Sequence, residues 1–243
     1  MKTLYMISGS VRKLKEFRDN NIYPTIHFND EVLNRVENCM YLGLSLDSNL
    51  KWDSHIQRIC QNVSYKLVLL NRLKKFLSSE VLRKIYVTNI QPCIEYGISI
   101  WGHCSEHNKS MIQRLQHRAA RIILNNFDFV NVRGDDLMQQ LRLQSFDQRR
   151  DYYMATEMHK CVYKTAPVHL TNEIVLMSNT HEIATRSSIN DVLQIPEPNC
   201  EIFKSSFKYQ SACLWNRLPP ELRMLNDIDN FKKKYKSLYF YGN

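Results

Sequence analysis

Gly134-Asp135-Asp136 comes nearest in this sequence to a catalytic metal site. Adjacent carboxylates at a tight turn can hold the magnesium ions that clamp a transferring phosphate. Phe127–Val132 even has the composition of a strand leading into such a turn. The residues that follow argue against it. Leu137, Met138 and Leu141 recur at helical spacing, and acidic residues suit the positive end of a helix dipole. The spacing therefore predicts a helix opening at Gly134, with Asp135 and Asp136 in its first turn. His103-Cys104 with His107 is the other cluster of metal-ligand type. Zinc takes four ligands, normally from two spaced pairs. No second pair is placed to complete the set, so the segment reads as a polar loop. His55 and His117 fall within helical patterns, as surface or half-buried side chains. No local Ser/His/Asp or Cys/His signature appears, and no glycine-rich phosphate loop. The sequence thus predicts no catalytic residue, no metal ligand and no cofactor for this chain by itself.

Its basic residues suggest binding. The formal charge is +9 over 243 residues. From Arg58 to Lys84 the chain carries seven basic residues (Arg58, Lys66, Arg72, Lys74, Lys75, Arg83 and Lys84) and one acid, Glu80. A concentration of this kind favours a polyanionic partner, because each phosphate neutralised releases condensed counterions. A merely solvated basic face is the alternative. Arg58, Lys66, Arg72, Lys74 and Lys75 are placed to follow a phosphate backbone without reading bases. Tyr65 and Phe76 are interleaved with them; at helical spacing they read as core rather than as stacking platforms.

The elements that must carry these residues fall into two kinds. Over residues 1–50 the pattern is strands and turns. Thr3–Ser8 is a short apolar strand, Pro24–Asn29 alternates, Asn29-Asp30 is a turn and Glu31–Val36 follows it. Cys39–Asp47 reads as one strand, with Met40, Leu42, Leu44 and Leu46 on its apolar face. The period then changes. Ile56, Ile59, Val63, Leu67 and Leu70 predict an amphipathic helix over Ser54–Lys75, capped by Asp53 or Ser54. Ser78 or Ser79 starts the next helix, which Pro92 interrupts or kinks. Ile94–Trp101 is a strongly apolar stretch, and Asn108–Phe127 is helical. Ser145-Phe146-Asp147-Gln148 has the form of a capping box opening a long helix to about Lys164. Residues 178–202 read as a loop or weakly structured connector. Phe203–Leu214 and Ile228–Tyr239 are terminal helices, separated by Pro219-Pro220.

Composition sets the remaining bounds. An apolar content of 44% in a chain of this length is enough to build a core. The seven cysteines are scattered and never form a Cys-x-x-Cys pair. With no leader pattern at the N-terminus, they read as reduced thiols of an intracellular protein, nuclear or cytoplasmic and not secreted. No apolar run approaches the roughly 18–20 residues needed to cross a bilayer. Oligomeric state is not legible.

Several short motifs, taken in order, resemble the C-terminal part of a jockey-like non-LTR retrotransposon reverse transcriptase. Lys2-Thr3 with Met6 resembles the end of the palm. Tyr41-Leu42-Gly43, followed by Asp47, Leu50, Trp52, His55 and Ile56, resembles the primer-grip strand entering the thumb. Ile94-Glu95-Tyr96-Gly97 and Trp101-Gly102 resemble the thumb's end. Gln116, Arg118, Ala119 and Arg121 resemble the next helix. Arg149-Arg150, Ala166-Pro167, Thr185-Arg186, Leu214-Trp215-Asn216-Arg217-Leu218-Pro219 and Phe231-Lys232 resemble the tail. Residues Gly9 to Tyr23 depart from that pattern, being longer and more charged than a strand connection requires.

The resemblance implies RNA-templated DNA synthesis with two magnesium ions in the intact family enzyme. It places Lys2 near the departing pyrophosphate, and Tyr41, Leu42 and Gly43 on the strand that holds the primer end. The basic helices correspond to the thumb around an RNA/DNA duplex. The family's metal-binding aspartates have no counterpart in this sequence. The expectation is an α+β chain, mostly α: a small N-terminal antiparallel β palm remnant (1–52), a helical thumb (53–127) and a helical C-terminal region (128–243). Functionally it is a truncated reverse transcriptase that binds nucleic acid without catalysing, with a protein-interaction domain of the same descent as the alternative. An active polymerase completed in trans is a third reading, which would require the palm sheet to assemble across chains.

Overall fold

A computed structural model of the chain describes residues 3–20, 23–177 and 191–241. Its architecture is α+β and mostly helical, with short strands confined to the N-terminal part.

Three small strand pairs form that part. β1 (Leu4–Tyr5) pairs in parallel with β4 (Asn34–Arg35). β2 (His27–Phe28) and β3 (Glu31–Val32) form a hairpin closed by Asn29 and Asp30, at φ 48° and 60°. Two positive φ values in succession are what a two-residue hairpin turn requires, and Asn and Asp tolerate them. The charged segment after Gly9 is a helix, α1 (Val11–Asp19), capped by the Ser10 side chain. It buries no residue and is tied to the strands by an Arg18–Glu37 ion pair at 2.9 Å.

Cys39–Asp47 is a hairpin, not the single strand its alternation suggested. β5 (Asn38–Tyr41) and β6 (Leu44–Asp47) are antiparallel, with Tyr41 opposite Leu44. Leu42 and Gly43 form the turn at φ 46° and 80°. Alternation cannot distinguish one long strand from two strands joined at a two-residue turn, because the turn preserves parity.

α2 (Asp53–Leu73) follows. Its cap differs from expectation: neither Asp53 nor Ser54 provides it, and Trp52 precedes the helix at φ 69° with no side-chain cap. Asp47 organises the junction instead. Its Oδ1 accepts from the backbone N–H of Asn49 and Lys51, at 3.1 and 2.9 Å, and its Oδ2 accepts from Trp52 at 2.7 Å. The last residue of the strand thereby sets the helix's direction of entry.

Ser78 caps α3 (Ser79–Ile85) by accepting from the Val81 N–H. The helix then slips register. Pro92 has no N–H to give, and the Gln91 N–H reaches back five residues to the Tyr86 carbonyl, making a π turn over Tyr86–Ile90. α4 (Gln91–Glu95) and α5 (Ile98–Trp101) are separated by Gly97 at φ 66°. α6 (Glu106–Leu124) runs parallel to α2. Asn108 Nδ2 donates to Asp53 Oδ1 at 2.7 Å where both helices begin, and Lys74 Nζ reaches Asn125 Oδ1 at 3.1 Å where both end. Gly134 opens α7 (Gly134–Gln140), with Asp135 and Asp136 in its first turn as expected. The capping box at Ser145 and Gln148 opens α8 (Phe146–Val162).

Two apolar cores meet along α8. The first runs from Leu44 through α2, α3, α5 and α6 to Leu137, Met138 and Phe146, with Trp101 fully buried at its centre. The second gathers Tyr152, Ala155, Met158 and Cys161 of α8 against Trp215, Leu222, Phe231 and Tyr235. The tail helices are Glu201–Lys204, Phe207–Arg217, Pro220–Arg223 and Ile228–Tyr239. Ser206 caps the second of these, splitting the helix expected over Phe203–Leu214. Part of the expected connector at 178–202, residues 178–190, lies outside the described residues. Its remainder is tied down: Asn216 accepts from the Leu193 N–H and donates to the Leu193 carbonyl, both at 2.8 Å, and Leu193 is buried. No described helix is long and apolar enough to cross a membrane.

Candidate nucleic-acid interface

The turn Leu42–Gly43 is held against the helices from two sides. The Tyr96 hydroxyl donates to the Leu42 carbonyl at 2.6 Å, and the Arg58 guanidinium donates to the Gly43 carbonyl. A Cβ at Gly43 would lie 3.2 Å from the Tyr96 ring, so glycine serves both the positive φ and the close approach. One residue further, Leu44 packs so tightly on Gly97 that a Cβ there would stand 3.0 Å from its Cδ2. Behind the turn, the Ser45 N–H donates to His55 Nδ1 at 3.3 Å. The outcome is a fixed tip with Tyr41 and Leu42 exposed.

His55 corrects an expectation: it is buried, not a surface or half-buried side chain. Burial, assisted by the nearby Arg58 charge, lowers its pKa to about 4. The imidazole is therefore neutral at physiological pH and accepts the Ser45 N–H through Nδ1.

α2 presents a continuous outward line beginning beside this tip. Arg58, Asn62, Tyr65, Leu69 and Arg72, with Phe76 just past the helix end, follow at intervals of four and three, and all are exposed. Tyr65 (66% exposed) and Phe76 (82% exposed) are not core residues as expected. The signal was present in the sequence: Tyr65 stands two residues from both Val63 and Leu67, about 200° around the helix from each. Tyr96 stood in the sequence only as part of the Ile94–Gly97 motif, with nothing to show that it fixes the tip.

The predicted cations divide by their partners. Arg72 and Lys75 are exposed and make no hydrogen bond or ion pair among the described residues. Arg58 is exposed but engaged with the Gly43 carbonyl. Lys66 is half-buried, with Nζ 2.8 Å from the Asn89 carbonyl and 2.9 Å from Cys93 Sγ. Lys74 is half-buried and sits over the Phe127 ring at 4.5 Å as well as on Asn125. Lys84 pairs with Glu80 at 2.9 Å, and Arg83 donates to the Leu141 carbonyl at 2.6 Å. Lys2 lies outside the described residues. Tyr41, Leu42, Gly43 and Arg58 are thus brought together at the tip, with Arg72 and Lys75 about four to five helical turns beyond Arg58.

Of the residues that resembled metal ligands, Asp135, His103 and Cys104 are engaged or buried, and among the described residues no three His, Cys, Asp or Glu are grouped to hold a metal. Asp135 Oδ1 is 2.9 Å from His117 Nε2. Asp47 is occupied by three backbone N–H groups. His103 is packed against Met154 Sδ at 3.1 Å, and burial lowers its pKa to about 3. Cys104 is buried, which raises its thiol to about 11. These residues do not fit a pair of magnesium ions, which need converging, unengaged carboxylates.

Comparison with known proteins bears on this geometry. The chain is 33% identical over 122 residues to the probable RNA-directed DNA polymerase from transposon BS of Drosophila melanogaster, a match covering 49% of the chain and 13% of that protein. It is 28% identical over 131 residues to the X-element polymerase of the same organism, covering 51% of the chain and 14% of that protein. The polymerase from mobile element jockey matches at 27% over 103 residues, covering 41% of the chain and 11% of that protein. Over about half its length the chain is similar to the RNA-directed DNA polymerases of non-LTR retrotransposons. Its matches span about an eighth of the length of these curated relatives. No protein-family model matches it, and no solved structure does.

Many of the reverse-transcriptase-like motifs turn out to be packing. Glu95, from the Ile94–Gly97 motif, forms a buried ion pair with Arg149 of the Arg149-Arg150 motif and accepts from Tyr153 Oη at 2.8 Å. Trp215 Nε1 donates to the Asp191 carbonyl at 2.8 Å, and Asn216 holds Leu193. Arg121 is buried and donates to two loop carbonyls. Thr185-Arg186 lies outside the described residues.

Proposed function

We propose that this chain supplies the thumb-side grip of an RNA-directed DNA polymerase, holding a nucleic-acid duplex along the outward face of α2, and does not itself add nucleotides. The observation that carries the reading is the exposed line from the fixed Tyr41-Leu42-Gly43 tip through Tyr65 and Arg72 to Phe76 and Lys75. Cations there meet phosphates, and the aromatic rings cover the sugar and base edges beside them. The tip meets the end of one strand through the exposed Tyr41 and Leu42. The relatives' names, RNA-directed DNA polymerases, supply the substrate class.

In those enzymes magnesium would stabilise the charge on the transferring phosphoryl group. Of the carboxylates that resemble such ligands, Asp135 is engaged by His117, and among the described residues no third ligand is grouped with it and Asp136, so the chain's own contribution is to bind and orient. Compartment follows the same reading: an intracellular protein, nuclear or cytoplasmic.

Fluorescence anisotropy with a labelled RNA/DNA primer–template tests the grip. Affinity should fall steeply between about 50 and 200 mM salt. Arg72→Ala with Lys75→Ala should flatten the log–log slope by about 1.8, from roughly 0.9 per phosphate contact. Lys66→Ala should barely change it, since Lys66 already holds Asn89. No binding at low salt would overturn the reading. Exposed Val68, Leu69 and Leu73 favour a second one, a protein-docking face; binding of a protein with little salt dependence would support that instead. Magnesium-dependent primer extension on an RNA template tests the remaining claim, and incorporation by this chain alone would refute it.

A further inference from the structure

α6 carries a second cationic line, separate from the face of α2. Arg114 and Arg118 lie one turn apart on its exposed side and make no hydrogen bond or ion pair among the described residues. The loop after α6 stands beside them, and it is tightly built. Buried Arg121 donates from Nη1 to the Asp128 carbonyl at 2.9 Å and from Nη2 to the Val132 carbonyl at 2.7 Å. The Asp128 carboxylate accepts from the Val130 and Asn131 N–H groups, at 3.0 and 2.9 Å, and from Asn131 Nδ2 at 2.9 Å. Asn126 Oδ1 accepts from the Asp128 N–H at 3.0 Å.

These bonds tie the loop's polar groups to one another and leave three of its apolar side chains outside. Phe129 is 72% exposed, and Phe127 and Val130 are exposed with it. Burying an aromatic ring stabilises a fold by about 1.5–3 kcal/mol, so a rigid loop that holds one in water forgoes that gain. Phe129 is not bare on both faces: the Arg121 guanidinium lies 4.3 Å from its ring centroid. Arg114, His117, Arg118, Arg121, Phe127 and Phe129 line a cleft of about 420 Å³. Asp128 and Asp135 are the nearby acids, and the three arginines of the lining outnumber them.

Cations beside an aromatic face suit a ligand that is both anionic and flat. A duplex offers phosphates, but its bases are stacked on each other and do not reach Phe129. An unpaired strand offers both. We infer that this cleft binds single-stranded nucleic acid, with a base stacked on Phe129 and the flanking phosphates on Arg114 and Arg118. The inference goes beyond the duplex grip and stands on different residues.

Anisotropy with a labelled single-stranded 12-mer (about the site size of such grooves), an abasic strand of the same length and a blunt duplex tests it. Phe129→Ala should weaken the single strand about 10-fold, leave the abasic strand and the duplex unchanged, and be rescued by Phe129→Trp. Arg114→Ala with Arg118→Ala should weaken both single strands and lower the salt slope by about 1.4, from roughly 0.7 per phosphate. The exposure of all three residues keeps the variants folded, which circular dichroism checks. Wild-type affinity in Phe129→Ala, or equal losses on strand and duplex, would overturn the inference, as would absence of single-strand binding, which leaves the loop as a protein surface. Arg72→Ala with Lys75→Ala should weaken the duplex and spare the single strand. A wild-type chain that binds the single strand through Phe129 but no duplex supports this cleft and defeats the duplex grip.

Discussion

Replacing Glu95 by Gln should destabilise the fold well beyond the effect of one surface contact. The Glu95 and Arg149 side chains are 9% and 15% exposed. Glu95 accepts from the Arg149 Nε–H, from Gln91 Nε2 at 2.5 Å and from Tyr153 Oη at 2.8 Å. Removing one member of a buried ion pair costs about 3–5 kcal/mol, because the other charge remains in a poorly solvated site. Arg149 keeps some compensation, with its guanidinium 5.3–5.6 Å from the rings of Tyr152, Tyr153 and Phe240. At 5.3–5.6 Å, near the limit of such contacts, they offset about 1 kcal/mol together. The expected loss is therefore about 2–4 kcal/mol, a large part of the roughly 5–15 kcal/mol that holds a domain folded. Urea denaturation followed by far-ultraviolet circular dichroism reads it as a lower midpoint. Because Glu95 precedes the tyrosine that holds the hairpin tip, duplex affinity should fall as well. The double variant Glu95→Gln with Arg149→Met removes both charges and should recover much of the loss. A cost under about 1 kcal/mol, with additive single and double variants, would refute the assignment of this pair as the joint between α4 and α8.

Three further outcomes follow from the same structure. His55 is held neutral, with its pKa lowered to about 4 from the ordinary 6.5; the unfolded chain takes up its proton first as pH falls. Its contribution is present in full above about pH 6.5 and is lost between there and about pH 4, on the order of 3 kcal/mol at most. Urea midpoints across that window should fall less in His55→Asn, whose amide oxygen can still accept the Ser45 N–H; parallel curves would exclude His55 as the source. Gly97→Ala puts a Cβ at φ 66° and 3.0 Å from Leu44 Cδ2, and thermal melting should show a loss of about 1–3 kcal/mol. Asp47→Ala leaves three backbone N–H groups without their acceptor and should cost about 1–3 kcal/mol by chemical denaturation; an unchanged midpoint would show that water replaces the carboxylate freely.

The elements legible in the sequence were those set by local chemistry. Asn29-Asp30 forms its turn because short polar residues tolerate positive φ. Ser78 and Ser145 start helices because their hydroxyls satisfy free N–H groups within three residues. Gly134-Asp135-Asp136 begins a helix because the apolar spacing after it is helical. The elements that were missed needed a partner distant in sequence. The hairpin within Cys39–Asp47 was hidden because a two-residue turn keeps the alternation in phase. His55 read as surface or half-buried because nothing near it in sequence reveals that Trp101 and the Ser45 N–H enclose it.

The sequence by itself determined most of the helical spans, the concentration of positive charge after Arg58 and the resemblance to retrotransposon reverse transcriptases, since each depends on residue order alone. Only the tertiary structure decided which cations are available. Lys66 and Arg72 are equivalent in composition, yet one is half-buried against Asn89 and Cys93 while the other stands in solvent. Charge is a property of a residue, but availability depends on what the fold packs around it. The same reason separates Arg121, buried beneath its loop, from Arg118 three positions earlier, which faces outward.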